Sequence, residues 1–475
     1  MGGMGRRRSI ETPSDFLQKP PRATGQPPRN WTMPTIAEIE NAFQPAKEAD
    51  TTERFAGRRD EVEEGYRGLL TDGSHIAIVG NRGIGKTSLA RQLVNVANGD
   101  NAVLSKLEIP ADDPLEFLSF YFACGTTVRT TEELLEKLLT SSGCLADWIY
   151  DIPRAESLMR SYKPKFGVNA LGVEIGLGGE RQTETTTERA IASHSVDTVF
   201  SNVVSAMIAA GLARNGMLIV IDEFDQIGDP RGFASFLKAL STNVPKVKFC
   251  IVGVASDIHN LMKEHLSADR LFSGSIVSVP PMSDDELTAI ISIAEELIQH
   301  EIGFTLTAKT RVASLAQGHP YMVHLIGKYA LRNAHKNGDQ VIDAGDVETT
   351  LQSIAERGAD PALEGRYKTA VGSSEQREIV LKTMAECQRP DSEIWTTEAY
   401  PIAHRKGVDN ASQYVGQLGT HEYGSEIERL RDRFYRFRDS LFAAYVRARP
   451  PLIRRGSSGV DSVDEPSSTP SLPSD

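Results

Sequence analysis

Gly80-Asn81-Arg82-Gly83-Ile84-Gly85-Lys86-Thr87 has the spacing G-x-x-x-x-G-K-[ST], and the apolar run Ile76-Ala77-Ile78-Val79 leads straight into it. The context carries more than the pattern. A loop that leaves a strand and enters a helix surrounds phosphate with backbone N–H groups and the positive helix end. Glycine accepts φ > 0 there and lets the backbone come close to the phosphate. Downstream, Leu89, Ala90, Leu93 and Val94 recur at helical spacing. Residues 80–87, with Ser88 after them, are therefore candidate nucleotide contacts. Lys86 would neutralise β/γ oxygens, and the Thr87 hydroxyl would ligate Mg²⁺.

At 475 residues the chain has room for two or three domains. Its composition, 40% hydrophobic and 24% charged, is that of an ordinary soluble protein. A net charge of −12 excludes a generally basic nucleic-acid coat while leaving room for a local basic face. Cys124, Cys144, Cys250 and Cys387 are far apart and form no C-x-x-C pair, so their spacing offers neither a zinc site nor a disulfide framework. A reducing, cytoplasmic setting follows. No apolar run approaches the length of a membrane span, and the Pro- and Arg-rich start has no signal-peptide core.

Residues 1–34 are rich in Gly, Arg and Pro and are expected to be a disordered tail; Arg6, Arg7 and Arg8 are either simply solvated or touch nucleic acid or an acidic partner. The Ser/Pro/Asp-rich end, 451–475, is expected to be a second such tail. Val103 to Ile109 is a strand candidate, and Glu132 to Leu139 a helix. Phe166, Val168 and Ala170, then Leu171, Val173, Ile175 and Leu177, alternate with polar or Gly residues and slip phase once. That pattern predicts a β insertion at 163–180. Val196, Phe200, Val203, Val204 and Met207 share one helical face.

The second half of the site is Met217-Leu218-Ile219-Val220-Ile221-Asp222-Glu223, an apolar strand ending in two acids. A buried parallel strand beside a phosphate loop carries an Asp at its carboxyl end to hold Mg²⁺, directly or through water. Asp222 is the metal-side candidate. Glu223 is the candidate general base for the attacking water. Asp225 either assists them or is a solvated loop carboxylate. A further strand, Val247 to Val254, ends near Ser256, which either senses the γ-phosphate or caps the next helix.

With these motifs in place, the chain resembles an AAA+-related P-loop ATPase, closest to the STAND and origin-recognition-like group. Phe55-Ala56-Gly57-Arg58-Arg59-Asp60-Glu61 resembles the F-x-G-R-x-x-E segment that lies against the adenine there. Ile219 to Asp225 is similar to the group's acidic strand. Ser267 to Arg270, then Val279 to Ser283 with Glu286 and Leu287, resemble the end of the ATPase core and the start of a helical lid. Gly318-His319-Pro320 resembles the G-x-P element whose proline contacts the base. The likeness runs from about 53 to 355 and departs in two ways: the lid lacks an arginine near Pro320, and the first sensor has no obvious Asn. It implies ATP and Mg²⁺ as ligands, base-side contacts from Phe55, Arg58 and Pro320, and hydrolysis to ADP and phosphate. Arg270 has two readings, an arginine finger at a subunit boundary or a structural ion pair.

The resulting fold class is α/β: a P-loop NTPase parallel sheet with a helical lid, followed by a C-terminal winged helix-turn-helix. The expected boundaries are a core at 35–282, a lid at 283–356, a linker at 357–372 and a winged domain at 373–450. Glu375 to Glu386, Thr397 to Lys406 and Asn410 to Leu418 read as helices, and a strand ends at Phe434 to Asp439 before the helix Ser440 to Arg447. The stretch Tyr435 to Val446 looks like the close of the winged domain in archaeal-type STAND ATPases. Arg429, Arg431, Arg433, Arg436, Arg438, Arg447 and Arg449 make this end basic, for contact with DNA phosphates or for packing on the ATPase or a protein partner. The expected activity is a slow ATPase switch acting through a protein partner or homo-oligomer; an ATP-controlled DNA-binding initiator or transposition-type regulator is the alternative.

Overall fold

The computed structural model describes residues 33–162, 195–254, 271–272, 274–389 and 392–452. The expected β insertion at 163–180, Ser256, Arg270 and almost all of both tails lie outside the described residues.

Five parallel strands form the central sheet: β1 (Ile76–Gly80), β2 (Phe117–Ala123), β3 (Gly216–Asp222), β4 (Val247–Gly253) and β5 (Ile276–Val279). Their order is β2-β3-β4-β1-β5. Every residue of β3 and β4 is buried, as strands covered on both faces must be. Alternation along β3 divides it between two cores. Met217, Ile219 and Ile221 join a cluster with Phe200, Phe233 and Phe249. Leu218 and Val220 join one with Val62, Leu89 and Leu93.

Around this sheet lie α2 (Arg59–Leu70), α3 (Lys86–Ala97), α4 (Ala102–Lys106), α5 (Thr131–Thr140), α6 (Ala146–Ile149), α7 (Pro153–Ser161), α8 (Val196–Ala209) and α9 (Phe233–Asn243); α1 (Ile36–Ala42) precedes them. Where a strand was expected at Val103 to Ile109, helix α4 runs to Lys106 and a turn follows. The Asp100 carboxylate accepts the Ala102 N–H at 2.9 Å, and the neighbours Val103 and Leu104 join one and the same apolar cluster, whereas successive strand residues face opposite sides of the sheet. The second strand is β2, paired in register with β3.

The lid consists of α10 (Asp284–Leu297), α11 (Leu306–Ala316), α12 (Pro320–Asn337) and α13 (Ala344–Arg357), with β6 (Gly303–Phe304) paired to β7 (Val341–Ile342). Ser283 with Glu286 and Asp343 with Asp346 form capping boxes that start α10 and α13. The stretch 357–372, expected as a linker, carries a helix, α14 (Pro361–Val371). Asp360 caps it, Pro361 suits its first position, and Leu363, Tyr367, Ala370 and Val371 are buried beneath it.

Beyond it come α15 (Glu375–Glu386), β8 (Ile394–Trp395), α16 (Thr396–Arg405), α17 (Ala411–Leu418), β9 (Ile427–Arg431), β10 (Phe434–Phe437) and α18 (Ser440–Ala448). The antiparallel order β8-β10-β9 closes the helices, a layout compatible with the expected winged helix-turn-helix.

One apolar cluster runs unbroken from the lid into this C-terminal region. It also takes in Ile39, Ala42 and Phe43, so α1, expected within the ATPase core, packs on the lid instead. Glu40 pairs with Arg332 and Lys328, and His335 Nε2 bonds the Pro34 carbonyl at 2.9 Å. Among the described residues no helix is long and apolar enough to cross a membrane.

Candidate nucleotide site

A cavity of about 440 Å³ lies between the glycine loop, the carboxyl ends of β2 and β3, and the lid. The loop supplies its floor. Gly83 and Gly85 have φ of 69° and 99°, values that L side chains resist. Gly85 caps α3 without a side chain, leaving first-turn N–H groups for an anion. Lys86 stands at the head of α3 and donates from Nζ to the Asn81 carbonyl at 2.9 Å. Burial lowers its pKa, against the pull of Asp225 and Asp222.

The metal-side pair sits deeper. Asp222 is 3% exposed. Its Oδ2 accepts the Thr87 hydroxyl at 2.7 Å and also the Tyr121 hydroxyl, and its Oδ1 accepts the Glu223 N–H at 2.8 Å. A hydroxyl beside a carboxylate is the oxygen donor set of a hard cation that keeps several waters, so these residues fit Mg²⁺. Among the described residues no three His, Cys, Asp or Glu gather into a metal cage, so phosphate and water would complete the shell. Glu223 lines the cavity in a left-handed conformation, φ 54°. Burial, then Asp222 and Asp225, raises its pKa, which suits a proton acceptor. Asp225 does not line the cavity; its carboxylate accepts from Gln226 at 3.0 Å.

Gly83, Ile84, Gly85, Lys86, Thr87 and Ser88 line the cavity, whereas Gly80, Asn81 and Arg82 do not. Ser88 Oγ accepts the Ala49 N–H at 3.0 Å. Phe55 is buried at the wall. Arg58, expected against the base, lines the wall but spends its guanidinium on protein. It donates to the Ile84 carbonyl at 2.9 Å, the Pro280 carbonyl at 2.7 Å and Glu61 at 2.9 Å. Pro320 begins α12 beside the loop, 3.8 Å from the position a Cβ on Gly85 would take.

Several wall residues carry no sequence motif: the segment 44–49, Arg54, Arg91, Tyr121, Ile290 and His324. Burial, with a smaller effect of Arg54, holds the His324 pKa down at about 4, so this imidazole is neutral. For Tyr121, correct placement of β2 was the one available signal. The C-terminal region also reaches the site. Leu441 Cδ2 of α18 lies 2.9 Å from where a Cβ on Gly83 would be.

The profile of the family described as Novel STAND NTPase 1 matches residues 41–357. No curated protein matches the chain. Among solved structures it is similar to the Walker-type ATPase PABY2304 of Pyrococcus abyssi, at 16% identity over 85% of this chain and 99% of that one, with a TM-score of 0.46. It is similar to Cdc6p of Pyrobaculum aerophilum at 13% identity, covering 87% and 98%, TM-score 0.42. It is also similar to the ORC2 protein of Aeropyrum pernix at 14% identity, covering 86% and 95%, TM-score 0.43.

Proposed function

The chain belongs to the Novel STAND NTPase 1 family, and on that premise we propose that it is an Mg²⁺-dependent ATP-binding and ATP-hydrolysing switch. One observation carries the reading: a single cavity holds Lys86, the Thr87–Asp222 pair and Glu223. Thr87 and Asp222 would hold Mg²⁺, which would supply neutralisation of the phosphate charge. Lys86 exchanges the Asn81 carbonyl for phosphate oxygen. Glu223 takes the proton of the attacking water at its carboxylate. Phe55 and Pro320 enclose the base, and Arg58 holds the loop from behind. Ser256 as γ-phosphate sensor and Arg270 as arginine finger are proposed from sequence alone.

The output is a change of conformation or assembly, because the loop that grips phosphate also touches Leu441 of α18. Such a change would be read by a protein partner or a second copy in the cytoplasm, in signalling or defence as the resemblance implies. The DNA-addressed alternative draws less support. Arg429 and Arg433 pair with Asp432, Arg431 with Glu393, and Arg436 and Arg438 with Glu428, which weakens the field a wing would offer to phosphates.

Nucleotide retention and phosphate release are the measurements. Lys86→Ala is expected to lose tight ATP binding. Glu223→Gln is expected to retain ATP and release phosphate at least about 100-fold more slowly, the scale of lost acid–base catalysis. Turnover at the wild-type rate in Glu223→Gln removes it as the base. A wild-type chain that retains no nucleotide removes the reading itself.

A further inference from the structure

One of the three hydrogen bonds accepted by the Asp222 carboxylate comes from outside the phosphate loop and the acidic strand end. It comes from Tyr121, on the outer strand β2, which pairs with β3 at Val220. The Tyr121 ring is held in turn. The Arg91 guanidinium lies over it, 3.4 Å from the ring centre, and Arg91 Nη2 is 3.4 Å from Glu48 Oε1. Contacts thus run from the segment 44–49 through Arg91 and Tyr121 to the carboxylate beside the phosphate loop.

We infer that Tyr121 is a positioning residue for the magnesium ion, a role that rests on the Mg²⁺–nucleotide reading of this cavity. A carboxylate has about four lone-pair positions. Thr87 and Tyr121 occupy Oδ2, and the Glu223 N–H takes one position on Oδ1. The carboxylate is thereby fixed about its own axis, and one position on Oδ1 is left for the metal or a metal-bound water. Thr87 alone would not fix it, since a hydroxyl that ligates the ion must share itself with the carboxylate. The phenol has no such second duty. The cation stacked on its ring keeps it in place and strengthens it as a donor.

The alternative is that Tyr121 only packs the outer strand, and Tyr121→Phe separates the two because it keeps the ring beneath Arg91. The full-length chain is titrated with Mn²⁺, followed by electron paramagnetic resonance, in the presence of a non-hydrolysable ATP analogue. The affinity for that analogue is also measured in Mg²⁺ and in EDTA. Tyr121→Phe is expected to bind Mn²⁺ about 10-fold more weakly or worse, the usual effect of removing a group that orients a metal ligand. It is expected to lose the same factor of Mg²⁺-dependent analogue affinity, while its affinity in EDTA stays within about twofold. Unchanged Mn²⁺ affinity overturns the inference, as does an equal loss in Mg²⁺ and EDTA. Should Tyr121→Phe fail to fold, Arg91→Leu is read in the same titration. A several-fold loss is expected there, and no loss overturns the inference. A wild-type chain that binds the analogue in neither condition instead refutes the ATPase reading.

Discussion

Arg58 is 4% exposed and has φ of 65°, and three protein groups share its guanidinium. Its Nη2 secures the phosphate loop at Ile84, while its Nη1 secures Pro280, just ahead of the lid, and Glu61. Arg58→Ala would strand two carbonyls and the Glu61 carboxylate in a buried place, so it is expected to cost about 3 kcal/mol. Arg58→Lys recovers little, because an ammonium cannot reproduce the planar fork. Urea unfolding of both variants checks this; a loss below about 1 kcal/mol would show the brace to be dispensable. The residue was legible and its task was not. Glu61 is only three positions on, but the other two partners lie 26 and 222 positions away, beyond the reach of any local pattern. That Lys86, Thr87, Asp222 and Glu223 would meet at one cavity was legible, because a strand–loop–helix turn and the carboxyl end of a neighbouring parallel strand lie side by side. Tyr121, Arg91 and His324 reach the cavity only through the fold.

Among the elements, β3 declared itself by a continuous apolar run and β4 by one interrupted only at Lys248, and α3, α5 and α8 by helical spacing. The outer strand β2, Phe117 to Ala123, has no period-two alternation to mark it, and the earlier segment Val103 to Ile109 stood in its place as the expected second strand. Helix α14 was hidden by its glycine and alanines, although Asp360-Pro361 is a regular helix start. Helix α18 provides the sharpest test at this scale. Leu441 is 6% exposed at its first turn and abuts Gly83. Leu441→Ala is expected to destabilise the protein by about 2 kcal/mol through lost packing. If the contact restrains the loop, release of a fluorescent ADP analogue will also quicken several-fold, on the scale of a 1 kcal/mol coupling. Stopped-flow release unchanged from wild type would mean that α18 merely rests on the loop.

At the scale of the molecule, both the sheet and the lid contain a neutral buried histidine. His75 is 1% exposed, accepts the Phe249 N–H at Nδ1 and faces Ser241 Oγ with Nε2. His319, 2% exposed, stands at the start of α12. Burial lowers each from 6.5 to about 4, and for His319 it outweighs the nearby Asp439. The unfolded chain therefore binds protons that the folded one refuses. Stability is complete above pH 6.5 and drains away as pH falls towards 4, with about 2 kcal/mol lost per histidine by pH 5. Denaturant midpoints from pH 7.5 to 5 test this, and His75→Gln should flatten the slope; a midpoint independent of pH in that window would contradict it. The apolar clusters carry one further consequence. Those of the sheet include residues from Phe55 to Val279, whereas the lid cluster begins with Ile39 to Phe43 and resumes at Met282. The backbone thus crosses between the two bodies at two places, 44–54 and 280–281. A pair of tethers defines an axis, as two pins define that of a door, so an opening of the cavity of the kind proposed above would reduce to a swing about one line, with the lid and C-terminal region turning as a single leaf.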